Sequence, residues 1–226
     1  MKILYLETSS KNCSVAISDG DQLLCVCEEV SENYKQSESL HTFVEWALEG
    51  AEISLNDLDA VCLGKGPGSY TGLRIGAASA KGFCYGLKLP LVAVNSMESM
   101  IEPFLGQNYD YIITLVDARR MEVYTGVYDG KTGNETSSTE AKILDETSFQ
   151  EFKDKKVLFV GDGASKAQDI LDLPNAEFKP DIYPSAKYLV KKALEKAEKE
   201  DFEDIAYFEP FYLKDFHGVK KSQSTL

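Results

Sequence analysis

The sequence predicts an α/β fold assembled from two copies of a β-β-β-α-β-α unit. Three observations carry this reading. Short β-rich runs at 2–8, 12–18 and 23–28 precede the first amphipathic helix. A second set of strand-like runs starts at Tyr111 and is again followed by alternating helical and strand-like segments. A chain of 226 residues, 43% of them apolar, has room for one sizeable domain or two small ones.

In the first half, Asp19-Gly20-Asp21 is a hairpin turn between the second and third strands. A helix over 36–49 places Leu40, Phe43, Val44, Ala47 and Leu48 on one face. Ser54 with Asp57 has capping-box spacing for a single turn before a strand at 60–64. The glycine-proline loop Gly64-Lys65-Gly66-Pro67-Gly68 follows, and Ser69 caps a helix running to about Gly86. A buried strand at 90–94 leads to a helix capped by Ser96 and running towards Gly106.

The second half repeats the order. Strands at 111–116 and 122–128 flank Asp117-Ala118-Arg119-Arg120, and a weaker strand falls near 141–144. A short helix at 147–153, a strand at 156–160, a helix opening at Gly161-Asp162-Gly163-Ala164 and a charged helix over 184–199 complete the set. Two such units are the layout of the actin-like ATPases and sugar kinases (the ASKHA, ribonuclease H-like fold). The expected division is 1–106, 107–216 and a polar, disordered tail at 217–226.

Composition narrows the function. The formal charge of −13 argues against a protein that grips nucleic acid alone, since neutralising phosphates needs a basic face. Five cysteines with no Cys-x-x-Cys are expected to be buried, reduced thiols, and the pattern supports neither a zinc ribbon nor a redox pair. No run has the length of a membrane span and the first apolar run is too brief for a signal core, so a soluble, cytoplasmic protein is expected. His41 and His217 stand far apart without ligand spacing, so no metal is expected.

Nucleotide chemistry in this fold needs an acid and a glycine in each phosphate hairpin. Here the first hairpin reads Glu7-Thr8-Ser9-Ser10 and the second Asp117-Ala118-Arg119. Glutamate replaces aspartate in one, and a bulky arginine occupies the turn of the other. Both are degraded, and no cofactor is expected. The glycine loop lacks Walker and dinucleotide spacing. Its helix N-terminus can attract an anion, but a tight strand-to-helix turn is the simpler use of these glycines.

The positive signal is the pair of helices. Gly72, Gly76 and Ala80 stand four residues apart and share a face without bulk. Such a face suits a core or an interface equally. If the faces form an interface, its residues are Leu40, Phe43, Val44, Tyr70, Gly72, Leu73, Arg74, Gly76, Ala77 and Ala80.

Gly66-Pro67-Gly68-Ser69-Tyr70-Thr71-Gly72-Leu73-Arg74-Ile75-Gly76 resembles the signature of the TsaB (YeaZ-like) family. Leu6-Glu7-Thr8-Ser9, Ser37-Glu38-x-Leu40, Val116-Asp117-Ala118-Arg119 and Pro210-x-Tyr212-Leu213 follow in the family's order across essentially the whole chain. Glu7 stands where many members carry aspartate, and Lys214 where arginine is common. The resemblance implies an actin-like, non-catalytic dimerisation subunit of the bacterial tRNA threonylcarbamoyladenosine complex. Such a subunit partners TsaD and, with the ATPase TsaE, supports modification of adenosine 37. It also implies pairing through the first two helices, a homodimer when the partner is absent, and contact with tRNA only through the complex. A stand-alone ATPase or kinase of the same fold, and a metallopeptidase-like hydrolase, are the competing readings.

Overall fold

The computed structural model describes residues 1–31 and 36–214, so the expected tail and His217 lie outside the described residues. Two five-stranded mixed sheets form the frame. The first contains β1 (Lys2–Glu7), β2 (Asn12–Asp19), β3 (Gln22–Val30), β4 (Ala60–Gly64) and β5 (Leu91–Val94), in the order β3-β2-β1-β4-β5. β1 to β3 are antiparallel, while β1, β4 and β5 run parallel, with Leu4 opposite both Ile17 and Val61. The second contains β6 (Tyr111–Asp117), β7 (Glu122–Asp129), β8 (Glu135–Ile143), β9 (Val157–Val160) and β10 (Ala176–Lys179), in the order β10-β9-β6-β7-β8. β6 takes the central place of β1, with the same directions around it. The strand order and directions of the duplicated actin-like layout are therefore present in both sheets.

One face of the first sheet is covered by α1 (Gln36–Gly50) and α2 (Tyr70–Leu87). Leu40, Phe43, Val44 and Ala47 from α1 meet Leu4, Leu6, Val15 and Ile17 of the sheet, joined by Ala77, Ala80 and Cys84 of α2. Ser69 caps α2 as expected, its hydroxyl accepting the Gly72 N–H at 3.3 Å.

The opposite face is covered by the last helix among the described residues. α3 (Ser96–Ser99) and α4 (Ala164–Ile170) precede α5 (Val190–Ala197), whose Val190, Ala193 and Ala197 pack on Ile3, Tyr5, Ala60, Cys62 and Val92. Sequence order places this helix in the second half, but its narrow stripe of small apolar residues packs on the first sheet.

Other differences have local causes. The helix expected from Ser96 towards Gly106 stops at Ser99 and continues as a 3-10 turn, Glu102–Phe104, because Pro103 supplies no amide to extend it. Its cap is Asn95, whose side chain accepts the Met97 N–H at 2.9 Å; Ser96 Oγ instead accepts the Gly66 N–H at 3.1 Å. The expected helix at 147–153 reduces to the 3-10 turn Gln150–Phe152, entered through Phe149 in the left-handed region. β8 begins six residues before the expected strand start, and β10 was not expected. Both are edge strands: β8 has little apolar content, and β10 alternates Ala176 and Phe178 with Glu177 and Lys179 over only four residues, too short a run to stand out. Cys13, Cys62 and Cys84 are buried, whereas Cys25 and Cys27 are only half-buried because β3 is the sheet edge.

Candidate functional site: two closed hairpins and a helix pair

The first hairpin tip is held from three sides. The Thr8 hydroxyl donates to the Gly72 carbonyl at 2.8 Å, and the Ser69 N–H donates to the Ser9 carbonyl at 2.6 Å. Gln36 Nε2 donates to the Ser10 carbonyl at 2.6 Å. Both helix starts are thus tied to the tip, and the Ser69 amide, a candidate anion donor, is already occupied. The Ser9 amide is occupied too, donating to Glu7 Oε1 at 2.8 Å.

The second hairpin closes in the same manner. The Arg119 N–H donates to Asp117 Oδ1 at 2.6 Å, so in each half the strand-end acid accepts the amide two residues on. Lys166 of α4 donates to Asp117 Oδ1 at 2.6 Å, and the Asp117 N–H donates to Asp162 Oδ1 at 2.8 Å. Arg119 and Arg120 both have positive φ, 73° and 53°, in the turn where glycine would cost least. The Ala118 N–H donates to the Glu122 carbonyl at 3.1 Å. These amides and the Asp117 carboxylate, the groups that hold phosphate and metal in an actin-like nucleotide cradle, are engaged within the chain.

Glu7 is fully buried, and its Oε2, beside Gly64 and Ser96, has no hydrogen-bond partner among the described residues. Desolvation raises its pKa above the ordinary glutamate value, with the Ser9 and Ser96 groups offsetting part of the rise. A raised folded-state pKa favours the native state below the unfolded value, and that stability is lost as pH rises through the folded value. Glu7→Gln is therefore expected to be more stable than the parent at neutral pH, by about 1–3 kcal/mol, with the difference shrinking towards acid. Thermal melts across a pH series check this, and parallel pH profiles for the two proteins would contradict it.

The ten residues of the expected interface set separate cleanly. Leu40, Phe43, Val44, Gly72, Leu73, Gly76, Ala77 and Ala80 are buried within the chain, and only Tyr70 and Arg74 reach the surface. The Gly72–Gly76–Ala80 face is an internal packing face: a Cβ at Gly72 would collide with the Thr8 carbonyl, and one at Gly76 with Thr8 Oγ1. Placing these eight at a protein–protein surface is corrected accordingly. The missing bulk admits the hairpin tip.

The outward face of α2 carries a second stripe at the same spacing that sequence reasoning missed. Ala78, Gly82 and Gly86 are exposed, and a Cβ at either glycine would meet nothing within 4 Å. Thr71, Arg74 and Tyr85 border the stripe. On α1, exposed His41 bonds Ser79 at 3.3 Å and sets its ring 5.9 Å from Phe83, joining the two helices into one surface. Arg74 lies over the Tyr70 ring at 5.6 Å, and Tyr70 packs on Tyr212 at 5.1 Å. The segment bearing Tyr212 is strapped to the glycine loop by the Phe211 N–H, which donates to the Lys65 carbonyl at 2.8 Å.

A depression of about 780 Å³ opens beside β5, β8 and α5, away from the hairpin tips. Two of its lysines are neutralised by neighbours, Lys192 by Glu98 at 2.9 Å and Lys196 by Asp201 at 2.6 Å. Among the described residues no three metal-ligating side chains converge, and no helix is long and apolar enough to cross a membrane.

Fold and site together define an actin-like α/β protein whose two phosphate hairpins are engaged internally and whose first two helices form one broad outer surface. The family model described as "TsaD: tRNA N6-adenosine threonylcarbamoyltransferase" matches residues 26–218. The tRNA threonylcarbamoyladenosine biosynthesis protein TsaB of Bacillus subtilis is 31% identical over 178 residues, 76% of each chain. Its namesake from Buchnera aphidicola is 31% identical over 197 residues, 83% of this chain and 90% of that one. The solved structure of YeaZ from Pseudomonas aeruginosa superposes with a TM-score of 0.80 at 25% identity, covering 94% of this chain and 99% of the other. The chain belongs to the TsaB family, within the group that the transferase model describes.

Proposed function

We propose that this chain is a non-catalytic subunit for the formation of N6-threonylcarbamoyladenosine in tRNA, pairing with a TsaD-type transferase through the outer face of α1 and α2. Family membership supports the pathway, since the relatives are named for that biosynthesis. The observation that carries the non-catalytic role is the internal engagement of both hairpins: the Ser9 and Arg119 amides serve Glu7 and Asp117 rather than a phosphate. Catalysis of phosphoryl chemistry depends on such donors being preorganised and available.

The pairing surface is assigned to Ala78, Gly82 and Gly86 with His41, Arg74 and Tyr85, because small exposed residues let a second helix pair approach closely. In the absence of the transferase the same surface pairs two copies of this chain. The protein acts in the cytoplasm, a TsaE-type ATPase completes the assembly, and tRNA is reached through the complex, consistent with a charge of −13. Size-exclusion chromatography of the purified chain with TsaD, alongside ATP turnover by the chain alone, tests this reading. Co-elution without turnover is expected. Enzyme-like ATP hydrolysis by the isolated chain, or separate elution, would overturn it.

A further inference from the structure

We propose that the groove between β3 and α1 is a docking site for a basic, extended segment of a partner protein, which adds a strand to the free edge of β3. The groove has a volume of about 540 Å³, and Val26, Cys27, Glu29, Thr42, Phe43 and Trp46 line it. β3 ends its sheet, so its outer backbone edge pairs with no strand among the described residues. A free edge of this kind is a ready template for another strand unless it is blunted by lysine, proline, a bulge or a cover, and the bulge in β3 lies at 23–25, before the residues that line the groove. β3 contains neither lysine nor proline.

The floor and rim identify the occupant. Trp46, the only tryptophan in the chain, is 54% exposed and packs against Phe43 at 5.6 Å. An exposed indole beside a groove offers an apolar contact and a face for a cation. Glu28, Glu29 and Glu38 all border the groove; Glu28 is held by Lys187 at 2.6 Å, which leaves exposed Glu29 and Glu38 to meet a cation. An acidic rim with an indole face selects lysine or arginine alternating with apolar residues. A second copy would bring the same acidic rim and another −13, and nucleic acid carries the wrong sign. The groove is separate from the paired outer surface of α1 and α2. Ser39, Thr42 and Trp46 face β3, while His41 faces α2.

The full chain is titrated with three synthetic peptides while Trp46 emission is followed: alternating Val and Lys, alternating Val and Glu, and the Val–Lys peptide with every second amide N-methylated. The Val–Lys peptide is expected to give a saturable blue shift that weakens with salt. N-methylation, the Val–Glu sequence, or the double variant Glu29→Lys with Glu38→Lys, is expected to weaken binding at least about tenfold. Circular dichroism confirms that the variant is folded. Equal binding of basic and acidic peptides, indifference to N-methylation, or no saturation up to about 1 mM would overturn the proposal. A blue shift that instead follows the protein's own concentration, without peptide, would assign the groove to a second copy and also overturn it.

Discussion

Gly76→Trp is expected to destabilise the native fold strongly rather than to block association alone. A side chain at this position starts on Thr8 Oγ1 and lies 3.0 Å from Leu63 Cδ1, between α2 and the sheet it covers. Accommodating an indole would lift α2 off β1 and β4. That movement breaks the Thr8–Gly72 and Ser69–Ser9 hydrogen bonds that fix the first hairpin. Overpacking of this kind costs about 3 kcal/mol or more, a large part of the 5–15 kcal/mol by which domains are typically stable. The loss corresponds to a fall in melting temperature of at least roughly 6–12 °C for a chain of this size. Thermal melting by circular dichroism checks it, and a Gly76→Trp protein that melts with the parent would contradict the packing described.

Gly82→Trp is expected to do the opposite. Gly82 is exposed, has nothing within 4 Å of its would-be Cβ, and sits mid-way along α2. Glycine inside a helix costs roughly 0.5–1 kcal/mol relative to alanine, and tryptophan recovers part of that, so the variant should melt at or slightly above the parent temperature. Its indole projects from the outer face beside Ala78 and Gly86, where a partner helix must approach closely. Co-purification with TsaD is expected to fall to background while the monomer stays folded. Retained pairing by a folded Gly82→Trp protein would remove the assigned surface.

These two glycines also show where the sequence was legible. Spacing alone marks 72–76–80 and 78–82–86 as equivalent stripes. The distinction lies in their neighbours: Leu73, Ala77 and Cys84 share the first sector, while Thr71, Arg74 and Tyr85 border the second. Apolar neighbours turn a bare stripe inward, and polar neighbours leave it outward. The glycine loop, the Ser69 cap and the central strands were legible because each rests on local chemistry. The return of α5 to the first sheet was not, since it depends on which sheet face lacks a cover. β8 was understated because it carries few apolar residues, and β10 was missed because its alternation spans only four residues. The degraded hairpins were visible as residue types, but their closure by Ser9 and Arg119 amides is a property of backbone geometry.

The most direct measurement is threonylcarbamoyladenosine formed on tRNA by TsaD and TsaE, supplied with a threonylcarbamoyl donor and ATP. This chain, its Gly82→Trp variant, or neither is added at equal folded concentration. Product with the parent chain, and background levels both with the variant and with no addition, is the expected result. Equal product in all three would contradict the claim that this protein acts by pairing through the outer face of α1 and α2.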